Sequence, residues 1–192
     1  MHNIKTHLAA NWKLTEEEVS TFLSAFDLIT LQKGEDFSLP GAVCNQIGLI
    51  QSGLMKCVLI ENEKEVIFEF AYENSFIADY YSFVTGIPST KSISCLEPTT
   101  AYVITRQKLA ELSSKYAFME RMSMITNEQL FIRMHEKLTS LLLDSATVRY
   151  QKLITARQDL AQRIPQYLLA SYLNVKPETI SRIRRRMVKV LS

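Results

Sequence analysis

Near the end of the chain stands Gln166-Tyr167-Leu168-Leu169-Ala170-Ser171-Tyr172-Leu173-Asn174-Val175-Lys176-Pro177-Glu178-Thr179-Ile180-Ser181-Arg182-Ile183-Arg184-Arg185. This window reads as two short helices meeting at a sharp turn. Close crossing needs a small residue at the contact, and Ala170 supplies it. The turn needs a residue that tolerates positive φ, for which Asn174 is the next choice after glycine. Pro165 stands just before the first helix, and Pro177 suits the first turn of the second. Leu169, Leu173, Val175, Ile180 and Ile183 fall where apolar side chains fill a small shared core. The spacing predicts a helix-turn-helix.

The second helix then turns Glu178, Thr179, Ser181, Arg182, Arg185 and Arg186 outward. Arginine reads guanine through two parallel hydrogen bonds, glutamate accepts from cytosine, and serine or threonine bonds base edges or phosphates. Glu178, Thr179, Ser181, Arg182 and Arg185 are therefore the candidate base readers, and Arg184, Arg186 and Lys189 the candidate phosphate contacts. The plainer alternative is a helical hairpin with solvated arginines. Coincidence of the small residue, the turn residue, five apolar positions and a basic second helix in one window favours double-stranded DNA as the partner.

Charge points the same way. Residues 149–192 carry ten Lys or Arg against Asp159 and Glu178, a net +8, while residues 1–148 carry a net −6. A basic end on an acidic body suits a polyanion, because each neutralised phosphate releases a condensed counterion. A solvated basic face without a partner would show the same charge.

Upstream, the chain to about Thr105 reads as β-rich after a helical opening. Thr15-Glu16-Glu17-Glu18 before Val19, Phe22, Leu23 and Phe26 has the form of an N-capped amphipathic helix. Strand-like pieces follow at Ile47–Gln51, Leu54–Ile60 and Val66–Phe70, separated by turn signals such as Lys33-Gly34-Glu35, Pro40-Gly41, Ser52-Gly53 and Gly86-Ile87-Pro88. Closely spaced strands of this kind predict a barrel, roll or sandwich.

From about Gln107 to Leu143 there is no Gly or Pro, and the periodicity is helical. Met124, Phe131 and Leu138 recur every seventh residue, with Asn127, Met134 and Leu141 offset by three. That is an a/d seam, in which one polar position such as Asn127 can set register and strand number. A second stripe of Phe118, Met122, Ile125 and Ile132 is expected to pack on the chain's own β-domain. Two stripes ask for two partners, so the first predicts a homodimer helix; burial of both within a monomer is the alternative.

A β-rich front, a long central helix and a C-terminal helix-turn-helix, in that order, resemble the Crp/Fnr family of bacterial transcription regulators over nearly the whole chain. In the front domain the resemblance rests on Lys33-Gly34-Glu35, Leu39-Pro40-Gly41, Ile50-Gln51-Ser52-Gly53-Leu54 and Asp79–Gly86, which match the turns of the family's cyclic-nucleotide-binding-like β-roll in order and spacing. In the reading helix, Glu178-Thr179-Ile180-Ser181-Arg182 resembles the family's E-x-x-S-R pattern. The resemblance implies an α+β chain with a β-roll sensory domain (1–106), a connecting dimerisation helix (107–143) and a helix-turn-helix domain (144–192). It implies that Glu178, Ser181 and Arg182 touch bases of a TTGA-like half-site repeated as a palindrome. A small-molecule effector and RNA polymerase are further partners that it implies.

The sequence departs from the family in three places. Members that bind cyclic AMP carry Gly-Glu and Arg-Ser/Thr; here the stretch reads Ala78-Asp79 and then Ser89-Thr90-Lys91-Ser92, with no arginine between residues 74 and 105. Asp79, Ser89, Thr90 and Lys91 form the candidate effector pocket, but a lysine lacks the fork that holds a phosphate, so cyclic AMP is not the expected effector. Cys44, Cys57 and Cys95 are scattered and match neither an iron–sulfur cluster nor a disulfide framework. The sequence stops at Ser192, so the family's β-wing is expected to be short or missing.

No P-loop, G-x-S-x-G, G-x-G-x-x-G or H-E-x-x-H occurs, and no catalytic residue, metal or cofactor is expected. With 47% hydrophobic and 22% charged residues the composition is that of a globular protein. No apolar run approaches the roughly 20 residues a membrane helix needs, and the start has no secretory layout, so a cytoplasmic location is expected. A second functional class stays open, a ligand-binding or protein-interaction module whose C-terminal helices dock a partner protein. Such a helix more often presents aromatic or aliphatic anchors than Glu, Thr, Ser and Arg.

Overall fold

A computed structural model describes residues 4–61 and 64–191; side-chain placement is not described for Glu61 or for 188–191. The chain opens with α1 (Ile4–Trp12) and α2 (Glu16–Ser24). Thr15 begins the second helix as its sequence predicts. Its hydroxyl accepts from Glu18 N at 3.2 Å, while its own N–H donates to the Glu18 carboxylate at 2.8 Å. Two otherwise orphaned groups are thereby satisfied.

Among the described residues eight strands follow: β1 (Asp27–Leu31), β2 (Asp36–Ser38), β3 (Gln46–Ser52), β4 (Leu54–Glu61), β5 (Lys64–Tyr72), β6 (Phe76–Ile77), β7 (Lys91–Cys95) and β8 (Thr99–Thr105), with the short helix α3 (Tyr80–Thr85) between β6 and β7. They form two antiparallel sheets, ordered β1-β8-β3-β6 and β2-β7-β4-β5. Register is set at pairs such as Leu49 with Tyr102 and Lys56 with Ser94. The inner faces enclose Phe37, Ile50, Met55, Ala71, Ile77, Ile93 and Val103, with Cys57 and Cys95 among them as small buried hydrophobes. Gly53 links β3 to β4 at φ +109°, and a Cβ there would stand 2.4 Å from the Thr99 hydroxyl and 2.6 Å from the Pro98 carbonyl oxygen. Only glycine fits that approach.

The single helix expected over 107–143 is two helices, α4 (Arg106–Lys115) and α5 (Phe118–Leu143). Tyr116 is extended, at φ −127° and ψ 117°. The break lets Phe118, Met119 and Met122 enter a core shared with Leu8, Trp12, Phe22, Leu49, Ile104 and Leu112. No Gly or Pro marks it, because burial of Phe118 and Met119 decides it. The stripe expected on the chain's own β-domain ends at half-buried Ile125; Ile132 is exposed. Trp12 fastens α5 by donating from Nε1 to Thr126 Oγ1 at 2.7 Å.

One compact unit ends at Glu128 and a second begins at Gln129. After α5 the second unit holds α6 (Ala146–Ala156), α7 (Gln158–Arg163), α8 (Gln166–Tyr172) and α9 (Pro177–Leu191). Ser145 caps α6 by accepting from Val148 N. Tyr150, Ala170, Leu173, Ile180 and Ile183 make its small core. Arg149 binds α6 to the end of α8, donating to the Leu173 carbonyl at 3.0 Å and the Asp144 carbonyl at 2.7 Å. Among the described residues no helix is long and apolar enough to cross a membrane, and no group of His, Cys, Asp or Glu could hold a metal ion.

Candidate nucleic-acid interface

The motif read from sequence folds as two helices around a left-handed turn. Asn174 adopts φ 52°, and Val175 N donates back to the Ala170 carbonyl at 2.9 Å, closing the end of α8. Ala170, Leu173, Ile180 and Ile183 are buried in the shared core with half-buried Val175 packed against it, and Leu169 is also buried. Pro177 is the first residue of α9, where its missing N–H costs no helical bond.

A helix advances about 100° per residue, so burial of Ile180 and Ile183 dictates what faces away. Glu178, Arg182, Arg185 and Arg186 are exposed on the opposite side, with half-buried Thr179 and Ser181 flanking them. Arg184 falls beside the buried pair instead. Its Nε donates to Tyr150 Oη at 2.8 Å, and Nη2 lies 3.4 Å from the Ala161 carbonyl. Arg184, expected among the phosphate contacts, thus has its guanidinium turned to α6 and α7, where it braces α9. The Lys189 side chain lies outside the described residues. Gln166, which the sequence reading gave no role, places its side-chain amide 2.7 Å from Ser181 Oγ and 3.1 Å from the Pro177 carbonyl.

In the β-roll the structure brings together three of the four candidate effector residues. Asp79, just before α3, is 2% exposed. Its Oδ1 receives Lys91 Nζ at 2.7 Å and its Oδ2 the Ser89 hydroxyl at 2.7 Å. Lys91, with 12% of its side chain exposed, also lies 4.3 Å over the Phe68 ring. Thr90 faces outward. Burial alone would raise the Asp79 pKa; hydrogen bonds from Lys91 and Ser89 and the lysine charge outweigh it and hold the carboxyl below its ordinary range. A cyclic phosphate does not fit this cluster. Lys91 already has its counter-charge, and an incoming phosphate would face a buried carboxylate of its own sign. Arg106 holds the far end of α3, donating to the carbonyls of Phe83 and Cys44 and lying over the Phe83 ring.

The a/d seam of α5 is largely uncovered. Phe131 is 72% exposed, Met124, Leu138 and Leu141 are exposed, and Met134 is half-buried. Asn127 is exposed but already engaged, its Oδ1 receiving the Tyr80 hydroxyl at 2.8 Å.

Residues 28–116 match the cyclic nucleotide-binding domain family. Among curated protein sequences no relative matches. Solved structures resemble nearly the whole chain. A CooA mutant from Carboxydothermus hydrogenoformans is 17% identical, with TM-score 0.68 over 88% of this chain and 79% of that one. The c-di-GMP responsive global regulator CLP from Xanthomonas campestris is 14% identical, with TM-score 0.69 over 89% and 90%. FixK2 from Bradyrhizobium japonicum is 13% identical, with TM-score 0.71 over 85% of each chain. The front of the chain is thus a cyclic nucleotide-binding-type β-roll. Taken whole, the chain has the fold of the Crp/Fnr transcription regulators, as its turns and reading-helix pattern led one to expect.

Proposed function

We propose that this chain is a homodimeric, sequence-specific DNA-binding transcription regulator. One observation carries the reading: α9 buries Ile180 and Ile183 and presents Glu178, Arg182, Arg185 and Arg186 together to solvent, on a helix-turn-helix. Glu178, Thr179, Ser181, Arg182 and Arg185 read base edges in the major groove, and Arg186 and Lys189 hold phosphates. Two chains pair along Met124, Asn127, Phe131, Met134, Leu138 and Leu141 of α5. Their reading helices then address a palindrome with half-sites about one DNA turn, roughly 34 Å, apart. By its likeness to the Crp/Fnr regulators the dimer works in the cytoplasm, with RNA polymerase as a further partner, and catalyses no reaction. Cyclic AMP is not its effector in this reading, because Asp79 neutralises Lys91 and no arginine stands nearby in sequence.

The test is selection of bound sequences from a random duplex pool with the full chain at near-physiological salt. Recovery of a palindrome with half-sites one turn apart is the expected result. Weak, salt-sensitive binding without a motif would count against base reading and turn attention to α9 as a protein-docking helix.

A further inference from the structure

We infer that Gln166 is a specificity-determining positioning residue, which by donating a hydrogen bond into one of the two lone pairs of the Ser181 hydroxyl biases that hydroxyl toward donating to DNA. The inference rests on the base-reading role proposed for α9. Gln166 begins α8, and its amide nitrogen stands 3.1 Å from the Pro177 carbonyl oxygen and 2.7 Å from Ser181 Oγ. A carbonyl can only accept, so the amide must turn its NH2 end, not its C=O, toward Pro177. One of its hydrogens meets Pro177, and the other is then aimed at Ser181 Oγ. Ser181 is therefore the acceptor in that pair.

A serine hydroxyl has one hydrogen and two lone pairs. Gln166 occupies one lone pair, and an oxygen that accepts in a chain of hydrogen bonds becomes a better donor through its own O–H. The Ser181 hydrogen has the Pro177 carbonyl as its acceptor within the chain, but at 3.4 Å, which is long for an O–H···O bond. It is thus available to a stronger acceptor. Ser181 lies three residues after Glu178 and four before Arg185, beside the exposed face. In the major groove such a donor is matched by thymine O4 or guanine O6 and N7, and opposed by the cytosine N4 amino group. The base facing Ser181 should therefore disfavour cytosine by about three- to tenfold, the worth of one neutral hydrogen bond.

The experiment compares the full-length protein with Gln166→Ala, Gln166→Glu, Ser181→Ala and the Gln166→Ala/Ser181→Ala pair. Relative affinities are measured by competition for the selected duplex, for its single-base variants and for random duplex, with thermal unfolding as a control for folding. Ser181→Ala should erase the discrimination against cytosine at one position of each half-site. Gln166→Ala should remove most of it at that same position, leaving the other positions and random duplex unchanged. Gln166→Glu, whose carboxylate accepts from Ser181, should flatten or reverse it. The double variant should match Ser181→Ala alone. A Gln166→Ala protein with an unchanged base profile, or with equal loss at every position, would overturn the inference and leave Gln166 as a brace between α8 and α9. If Ser181→Ala changes nothing while Arg182→Ala does, α9 still reads DNA and only this inference fails. If the unaltered protein selects no sequence, the base-reading role itself fails.

Discussion

Replacing Asp79 by asparagine keeps the volume and one acceptor oxygen but removes the charge opposite Lys91. The magnitude follows from burial. Removing one partner of a fully buried pair costs about 3–5 kcal/mol, because the other charge is left without compensation. Lys91 retains 12% exposure and the Phe68 ring beneath its ammonium, a contact worth about 0.5–2 kcal/mol. The expected loss is therefore about 2–3 kcal/mol. Replacing both residues, as Asp79→Leu with Lys91→Met, should cost less than Asp79→Asn alone, since a pair exchanged for apolar groups is often neutral. Urea unfolding monitored by circular dichroism measures each value. The pH dependence follows from the depressed Asp79 pKa. Its contribution is complete above the unfolded carboxyl value of about 3.9 and is lost as pH falls through the lower folded value. The gap between wild type and Asp79→Asn should be constant from about pH 7 to 5 and narrow below about pH 4. A loss under about 0.5 kcal/mol, the level of an ordinary surface change, would refute the reasoning that the buried Lys91 ammonium depends on the Asp79 carboxylate.

Three further outcomes are expected. Phe131→Ala withdraws two rings from a symmetric dimer, about 3 kcal/mol in all, so sedimentation equilibrium should show the dimer dissociation constant raised about a hundredfold; a wild-type monomer at micromolar concentration would refute the dimer outright. Arg182→Ala should cut discrimination between the selected site and its variants by about 1–3 kcal/mol, whereas Arg186→Ala should weaken all duplexes alike and lower the salt slope by about 1, both read by fluorescence anisotropy. Gly53→Ala, which combines a left-handed φ with a Cβ at 2.4–2.6 Å from Thr99 and Pro98, should destabilise the β-roll unit by about 2–4 kcal/mol in urea.

What could be read in advance was what depends on near neighbours in sequence. The helix-turn-helix needs Ala170, Asn174, Pro177 and a few apolar residues at short fixed offsets, and local sterics make each requirement visible. The capping box at Thr15 and the turn at Gly53 are legible for the same reason. The Asp79–Lys91 pair was not, although both residues stood among the candidates: they are joined only once β7 is in register with β4 and α3 is docked, and lysine in an expected pocket reads as a free cation until its partner is seen. The break at Tyr116 was hidden because the demand that Phe118 and Met119 enter the core comes from α1, α2 and β8, far away along the chain. Arg184 shows the cost of counting charge without angle. Three consecutive arginines look alike in sequence, yet 100° per residue sends the first toward Tyr150 and leaves Arg185 and Arg186 exposed. Gln166 makes the same point from the other helix. Nothing in its type announces a role, and only the crossing of α8 over α9 sets its amide against Ser181. If α9 reads bases as proposed, specificity in this hairpin would depend on the first helix as well as on α9, because α8 supplies the hydrogen bond that Ser181 accepts.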